Sequence, residues 1–221
     1  MVVPAWNEGQ VVGEVLHDVL QHFDNVICVD DGSSDKSADI ISKTKAKLIR
    51  HPINLGAGAA MQTGVDYALL DKHMRYLITI DADGQHDIRD AVKMLEYLKK
   101  KHLDVVIGSR FIGQVKNISK VKWIFLQAAR YFSHVNSGVN LTDPHNGLLV
   151  CNRTFAENLK LTLSDFSHKS EIVQRIREGN YTYDEYPVTV TYTDYSKSKG
   201  QPMLNAINIS FDLFLHRMTK R

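Results

Sequence analysis

Hydrophobic positions along the chain form short continuous runs that alternate with longer amphipathic stretches. The runs predict strands, and their sequences are VVP, NVICVDD, AKLIR, YLITID, DVVIGSR and GLLVC. The stretches between them predict helices, with sequences VVGEVLHDVLQHF, SSDKSADIISKTK, GAGAAMQTGVDYALL and DIRDAVKMLEYLKKK. Strands that are hydrophobic at every position are typically buried on both faces. The pattern therefore predicts an α/β fold in which helices flank a mostly parallel central sheet.

After residue 112 the alternation changes. A predicted helix, KVKWIFLQAARYFSHV, is followed by the loop NSGVNLTDPHNG, the strand GLLVC, the helix KSEIVQRIREG and the strand YPVTVTY. With 221 residues and 43% hydrophobic content, we expect one domain over residues 1–221. Within it, residues 1–112 are predicted to form one half, residues 113–200 a second half over the carboxyl edge of the sheet, and residues 201–221 a C-terminal amphipathic helix.

Polar clusters follow the predicted strands at their carboxyl ends. In strand order they are Asn7 with Glu8, Asp30 with Asp31, His51 with Asn54, Asp81 to Gln85, and Ser109 with Arg110. Open α/β sheets bind ligands in the crevice beyond the carboxyl ends of their strands. The first half is therefore predicted to carry a binding site at this edge.

The segment DADGQH offers oxygen ligands for a divalent cation. Asp81 and Asp83 can approach one point because Ala82 is small and Gly84 allows a turn, and Gln85 adds an amide. Carboxylate and amide oxygens suit Mg²⁺ or Mn²⁺, which share further positions with water and phosphate oxygens. For an isolated motif a solvated turn is the stronger interpretation. The parallel clusters at the same edge favour the cation site.

Two further segments have a functional and a structural interpretation. Asp30 and Asp31, in VDDGSSD, could accept from a base N–H and a ribose hydroxyl, or could belong to a helix N-cap cluster. Gly56 and Gly58 resemble a phosphate-binding loop, but close packing by small residues is the better interpretation of a lone G-x-G. No lysine follows them, which excludes a P-loop.

Composition limits the partners and the compartment. The chain has 27 Lys and Arg against 25 Asp and Glu, a net charge of +2, so no general attraction to nucleic acid is expected. Cys28 and Cys151 lie in apolar runs, which indicates buried thiols and a reducing cytoplasm. The sequence shows neither a signal-peptide pattern nor an apolar run long enough for a spanning helix, so we expect a soluble protein or one that lies on a membrane.

The segments VVPAWNE, VDDGSSD, HPINLGAGAA, DADGQH and GSRF, in this order, resemble the family 2 glycosyltransferases. The resemblance is strongest to their dolichyl-phosphate mannose and glucose synthase-like branch, and it implies the GT-A nucleotide-diphospho-sugar transferase fold. It extends over about residues 2 to 200. TDPHNGLLVCNR also resembles a family segment, with Asp143, Asn146 and Gly147 in place and Leu149 instead of an arginine.

The resemblance implies roles for individual residues. The nucleotide would be bound by Pro4, Ala5, Glu8, Asp30, Asp31, Asp81 and Ala82, and the cofactor, Mg²⁺ or Mn²⁺, by Asp81, Asp83 and Gln85. Phosphate or acceptor contacts would come from Arg110, Lys197 and Lys199, the two lysines lying in YSKSKG. Asp83 and Arg110 are also expected to act in catalysis. Glu171, in SHKSEIVQ, is the candidate base, although a carboxylate early in a helix has a structural interpretation as well.

The implied reaction is inverting transfer of a hexose from a nucleotide sugar. The acceptor would be a polyprenyl phosphate or a lipid-linked saccharide in cell-envelope glycan synthesis. Family frequency favours a UDP-sugar over GDP-mannose. This reaction implies a cytoplasmic protein, peripheral on the cytoplasmic face of the membrane if it binds lipid directly.

Two apolar stretches bear on the acceptor. Trp123 to Phe132 is apolar on more than one side and is predicted mainly to cover the core, with a face for a lipid or a partner. The C-terminal LNAINISFDLFLHRMTKR predicts an amphipathic helix with a basic end. It could lie on a membrane surface, pack on the domain or pair with a second copy in a homodimer, and the sequence leaves these three open.

Two other classes of nucleotide-binding protein are alternatives to the transferase. A sugar-nucleotide pyrophosphorylase needs a Gly-rich loop with Arg and Lys near its N-terminus, and VVPAWNEGQVV lacks it. A non-catalytic nucleotide-binding module would not need the intact set of Asp81, Asp83 and Gln85. Both alternatives are therefore weaker than the transferase.

Overall fold

A computed structural model describes residues 1–119, 123, 126–127, 139–163 and 167–199, with the side chains of 197–199 left out. Its strands are β1 Val2–Ala5, β2 Ile27–Asp30, β3 Lys47–Arg50, β4 Tyr76–Thr79, β5 Val105–Lys116, β6 Leu149–Asn152 and β7 Tyr183–Thr191. Its helices are α1 Val12–Leu20, α2 Ser37–Ile41, α3 Ala57–Leu69, α4 Ile88–Lys101, α5 Arg153–Asn158, α6 His168–Glu178 and α7 Asp194–Lys199.

The seven strands form one sheet in the order β3-β2-β1-β4-β6-β5-β7. All pairs are parallel except those of β6, which runs antiparallel to both β4 and β5. The predicted mostly parallel sheet with flanking helices is thereby confirmed. Strands β2 and β3 lie on one side of β1, and β4 lies on the other side. The strand order therefore reverses between β1 and β4. A crevice for ligands is expected at such a switch point.

Two hydrophobic cores cover the two faces of the sheet. Neighbouring strand residues point to opposite faces, so Val3 belongs to the core beneath α1 and α4, and Val2 to the core beneath α3 and α6. Both residues are fully buried. The continuous hydrophobicity of the strands therefore has the cause predicted from the sequence.

The element bounds differ from the prediction at several places. The helix expected within SSDKSADIISKTK is limited to α2, and the serines before it lie in a loop. The short helices α5 and α7 were not predicted. The stretch Trp123–Phe132 lies outside the described residues except for 123, 126 and 127, and the C-terminal helix expected over 201–221 lies entirely outside them. Within the part of the chain that the structure describes, none of the helices combines the length and apolar character needed to span a membrane.

Close contact between α3 and β1 depends on Gly64. A Cβ atom at this position would overlap Cγ1 of Val2, a fully buried residue of the central strand. At Gly13 in α1, a Cβ atom would instead lie 3.1 Å from Cγ2 of Ile40, a half-buried side chain that can shift. An added methyl group should therefore be accommodated at position 13 and should clash with the central strand at position 64.

We expect Gly64→Ala to lower the free energy of unfolding by about 1–3 kcal/mol, because overpacking against the central strand outweighs the better helix propensity of alanine. Gly13→Ala, the matched control, should change stability much less. Urea unfolding of both variants measures the difference, and equal midpoints would contradict the close contact between α3 and β1.

Candidate active site at the carboxyl edge of the sheet

The register of the central strands brings the predicted nucleotide-binding residues to one edge. Ala5 lies opposite Asp30, which lies opposite Arg50 on β3, and Pro4 pairs with Val29. Because β4 runs parallel to β1, the DADGQH segment leaves the sheet at the same edge as the loop that contains Glu8. The strand topology thus assembles residues that are far apart in sequence.

The Asp30 carboxylate is buried without hydrogen bonds. Its residue is 0% exposed, and within the described ranges neither of its oxygens accepts a hydrogen bond. Nε of Arg50 lies 3.2 Å from Oδ2, and the arginine side chain is 58% exposed. A buried carboxylate without hydrogen bonds is costly. Asp30 would therefore be stabilised by a hydrogen-bond donor from a ligand, which can reach it only if the groups that cover its two oxygens move.

Asp31, by contrast, is engaged within the protein. Oδ1 accepts from the backbone N–H of Leu55 at 2.9 Å and lies 2.7 Å from Nδ1 of His51, and Oδ2 accepts from the N–H of Gly56 at 2.8 Å. Nε2 of His51 in turn lies 2.9 Å from the hydroxyl of Thr63. These bonds give Asp31 the role of fixing the loop between β3 and α3. Its contact with a nucleotide stays a prediction.

The loop after β1 is held by the serine-rich loop after β2. The backbone N–H groups of Asn7 and Glu8 donate to the hydroxyls of Ser33 and Ser37, both at 2.8 Å. Asn7 adopts a positive φ of 53°, which asparagine tolerates better than most residues. Ser33 and Ser34 of VDDGSSD thus bind the loop after β1 instead of capping a helix, and Ser37 binds it from the first position of α2.

Glu8 is covered by a residue of α7. The hydroxyl of Tyr195, in α7, donates to Oε2 of Glu8 at 2.8 Å. Burial, together with this hydrogen bond and the charge of Glu8, raises the pKa of Tyr195. Tyr195 therefore brings α7 to the loop that is predicted to bind the nucleotide.

Asp81 is fixed from two sides. Nζ of Lys169 lies 3.1 Å from its Oδ2, and a Cβ atom at position 147 would overlap its carboxylate, so Gly147 leaves the space it occupies. Burial would raise the pKa of Asp81, but the positive charge of Lys169, followed by His86 and the hydrogen bond from Lys169, outweighs it and lowers the pKa to about 2. Asp81 is consequently ionised at any physiological pH.

The pKa of Asp83, by contrast, is raised. Burial first, and then the negative charge of Asp81, raises the pKa of Asp83 to about 6, despite a hydrogen bond from the backbone N–H of Gln85. The side-chain amide of Gln85 also donates to Oδ2 of Asp83 at 2.6 Å. Gly84, at a φ of +72°, provides the turn that brings Gln85 back to Asp83. The turn predicted for DADGQH therefore forms around the Asp83 carboxylate.

These residues fit a hard divalent cation that keeps open positions. Asp81 and Asp83 are two residues apart in the loop that leaves β4, and the charge of Asp81 adds to the effect of burial in raising the pKa of Asp83. In the described part of the chain, no three His, Cys, Asp or Glu side chains cluster as a complete metal cage. Two carboxylates and one amide leave positions for water and phosphate oxygens, as Mg²⁺ and Mn²⁺ require.

Arg110 is held at the same edge by the loop before β6. Its Nε and backbone N–H donate to Oδ2 of Asp143 at 2.6 and 3.0 Å, and its Nη1 donates to the Tyr192 hydroxyl at 2.9 Å. The loop itself is fixed by Glu185 of β7, which accepts from the N–H groups of Thr142 and Asp143 at 2.8 Å. Arg110 thus has a fixed orientation, and its contact with a phosphate stays a prediction.

The Glu171 carboxylate fixes a loop. It accepts hydrogen bonds from the backbone N–H groups of Thr162 and Leu163, both at 2.9 Å, and from the Thr162 hydroxyl. Of the two interpretations of this residue, the hydrogen bonds favour the structural one, because both oxygens are engaged. The expectation that Glu171 is the catalytic base therefore receives no support from the geometry.

The remaining predicted residues are located only in part. Ala82 is 4% exposed and its methyl group belongs to the hydrophobic core, so any ligand contact would come from its backbone. Lys197 and Lys199 belong to α7, which starts one residue before Tyr195, but their side chains lie outside the described part of the structure.

Sequence reasoning missed Lys169, Tyr192 and Tyr195. A lysine near the start of an amphipathic helix is typical of a solvated face, so nothing in SHKSEIVQ indicates that this ammonium is buried against Asp81. Tyr195 is the first residue of YSKSKG, in which a role was predicted for the two lysines and none for the tyrosine hydroxyl. Only the packing of the second half against the first reveals these contacts.

The fold has solved counterparts. A glucosyl-3-phosphoglycerate synthase from Mycobacterium tuberculosis, crystallised with Mn²⁺ and UDP-glucose, superposes with a TM-score of 0.71 at 15% identity. The superposition covers 96% of this chain and 75% of that protein. This likeness supports the GT-A fold expected from the sequence motifs.

Relatives of known sequence cover nearly the whole chain. An uncharacterized protein from Methanocaldococcus jannaschii is 32% identical over 99% of this chain and 91% of its own length. A UDP-N-acetylglucosamine–dolichyl-phosphate N-acetylglucosaminyltransferase from Methanococcus voltae is 26% identical over 100% of this chain and 96% of its own length. The second name agrees with the dolichyl-phosphate synthase-like branch indicated by the motifs, and not with a pyrophosphorylase. The family model described as Glycosyl transferase family 2 matches residues 1–153, which include every strand tip of the edge except that of β7, and the chain accordingly belongs to the family 2 glycosyltransferases.

Proposed function

We propose that this glycosyltransferase moves a hexose, with inversion, from a UDP-sugar to a polyprenyl or dolichyl phosphate, and that it depends on Mg²⁺ or Mn²⁺. The observation that carries the proposal is the pair of carboxylates Asp81 and Asp83 at the switch point of the sheet, at the same edge as the buried Asp30. The activity for which the Methanococcus voltae relative is named supports the acceptor and the UDP-sugar. Such an acceptor would place the reaction at the cytoplasmic face of a membrane, in glycan synthesis for the cell envelope.

Asp30 supports recognition of the base. A buried carboxylate that accepts no hydrogen bond needs an N–H donor from its ligand, and the N3–H of uracil is such a donor. Cytosine presents an acceptor at the same ring position, so it would face the carboxylate without a proton between them. Guanine also carries an N–H at this edge, and the choice of UDP over GDP rests on the Methanococcus voltae relative and on the Mycobacterium tuberculosis structure with UDP-glucose.

Asp83, Gln85 and Asp81 are the proposed metal ligands. When bound, the cation would neutralise negative charge on the diphosphate leaving group. The protein orients the ligands in advance, because Gly84 turns the chain and Gly147 leaves space for Asp81. Such preorganisation is commonly the largest part of catalysis in reactions that develop charge.

A phosphate acceptor fits the absence of an available base at Glu171. In the proposed reaction, an oxygen of the acceptor phosphate forms the new bond to the anomeric carbon while the bond from that carbon to the UDP oxygen breaks. The attacking oxygen is already anionic, so no protein group has to remove a proton. Arg110, with its orientation fixed by Asp143 and Tyr192, would contribute positive charge for a phosphate group.

The central experiment measures cation-dependent donor binding. Asp83→Asn is expected to weaken Mn²⁺-dependent UDP-sugar binding by roughly two orders of magnitude, because the charge of a direct ligand is lost. Asp87→Asn is the matched control, since Asp87 caps α4 on the same loop and asparagine also caps helices. Calorimetry with and without chelator tests this. Equal donor affinity in the presence and absence of Mn²⁺ would refute the metal-dependent site.

Base selectivity tests the role of Asp30. With Mn²⁺ present, UDP should bind at least about tenfold more tightly than CDP, because a hydrogen bond to a buried charged group is replaced by opposed acceptors. In Asp30→Asn this ratio should fall, since an amide can both donate and accept. Competition calorimetry gives the ratio directly, and equal affinities for UDP and CDP in the unaltered protein would remove Asp30 from base recognition.

Glu171→Gln separates the two interpretations of that residue. We expect the variant to lose about 1–3 kcal/mol of stability, because an amide nitrogen would face backbone N–H donors. Its turnover with a polyprenyl phosphate acceptor at a permissive temperature should stay within a few-fold. Glu157→Gln, which alters an exposed ion pair with Arg153, is the control for stability. Unchanged thermal unfolding together with lost turnover would restore Glu171 as the base.

A further inference from the structure

Lys169 provides a buried positive charge that the sequence motifs do not include. It lies in the first turn of α6, and its side chain is 8% exposed. Its Nζ lies 3.1 Å from Oδ2 of Asp81, which follows β4 at the switch point of the sheet. A buried ammonium is expensive to desolvate unless an opposite charge compensates it. The pair with Asp81 provides that compensation.

The ammonium lies among the groups that the proposed function assigns to the diphosphate. Burial lowers the pKa of His145, and the positive charges of Lys169 and Arg110 lower it further. The positive charge of Lys169 also lowers the pKa of Asp83, against the larger raising effects of burial and of Asp81. The geometry agrees with this placement, because Nε2 of His145 lies 3.3 Å from the hydroxyl of Ser170, the residue after Lys169, and Nε of Arg110 donates to Asp143, two residues before His145.

A cation that approaches Asp81 meets the like charge of this ammonium. At about 4 Å, two unit charges near a protein surface interact with an energy that corresponds to more than a tenfold change in affinity. A nucleotide diphosphate changes the balance, because its oxygens offer the ammonium other acceptors within reach of the flexible lysine stem. Lys169 could then turn from Asp81 to the diphosphate and leave the carboxylate to the cation.

We propose that Lys169 is the counter-ion of Asp81 in the nucleotide-free protein and that it couples the binding of the divalent cation to the binding of the nucleotide diphosphate. The inference rests on the proposed function, since it assumes that the cation and the diphosphate meet at Asp81. Lys169 weakens cation binding until the nucleotide arrives. By linkage, the cation then strengthens nucleotide binding by the same factor.

A purely structural ion pair makes a different prediction. If Lys169 only fastened α6 to the end of β4, its removal would lower the unfolding temperature and weaken cation and nucleotide binding together, or leave both unchanged. Counter-ion exchange instead requires that removal of Lys169 strengthens binding of the cation alone and weakens the coupling between the cation and the nucleotide. Titration of the cation alone, compared with titration in the presence of UDP, distinguishes the two roles.

The experiment follows Mn²⁺ binding by electron paramagnetic resonance, with and without UDP. Lys169→Met removes the charge, Lys169→Gln removes it but keeps a hydrogen-bond donor for Asp81, and Lys169→Arg keeps it. Lys101→Met, at the exposed end of α4, is the matched control for net charge. The Gln variant also provides the test if Met at this position prevents folding.

In the unaltered protein and in Lys101→Met, UDP should tighten Mn²⁺ binding by at least about tenfold. Without UDP, the Met and Gln variants should bind Mn²⁺ about tenfold more tightly than the unaltered protein. UDP should then tighten Mn²⁺ binding by a smaller factor than in the unaltered protein, because only the part of the coupling that comes from the phosphate oxygens remains. The Arg variant should behave like the unaltered protein. Unchanged Mn²⁺ affinity in both charge-removing variants would overturn the inference while leaving the proposed function intact. Failure of the unaltered protein to bind Mn²⁺ even with UDP would overturn the metal site, and the inference with it.

Discussion

Repulsion between the carboxylates at one edge of the sheet is the constraint on which the site depends. Asp81 and Asp83 are two residues apart in a partly buried loop, and burial, followed by the charge of Asp81, raises the pKa of Asp83 to about 6. The protein limits this cost locally: Lys169 neutralises Asp81, and Gln85 donates to Asp83 through its backbone and its amide. A cation and a diphosphate would satisfy the same charges in another way, so ligand binding replaces interactions that the protein already makes.

The acidic residues around the edge divide into two groups. Asp31, Asp143, Glu171 and Glu185 each accept hydrogen bonds from the backbone of another segment, and these bonds hold the loops that surround the site. Asp30 accepts none within the described residues, and Asp83 accepts only from its own turn. Buried carboxylates with several backbone donors stabilise structure, whereas those without such donors are the better candidates for ligand contacts.

The sequence predicts the parts of the fold that depend on local pattern. The central strands were predictable because they are continuously apolar, and the position of the site was predictable because polar residues follow the strands at one edge. The roles of Asp31 and Glu171 were not, because they depend on backbone donors from other loops. The DDGS segment looks the same whether its second aspartate faces a ligand or the N–H groups of Leu55 and Gly56. Likewise, the contact between Lys169 and Asp81 joins residues 88 positions apart.

The antiparallel strand β6 explains why the two halves of the chain form one site. Because β6 runs against β4 and β5, the loop before it arrives at the edge where those strands end. Gly147 thereby leaves space for Asp81, and Asp143 orients Arg110. A parallel strand at this position would bring its preceding loop to the opposite edge. The direction of one short strand therefore lets the second half shape the proposed cation site, although the proposed metal ligands all belong to the first.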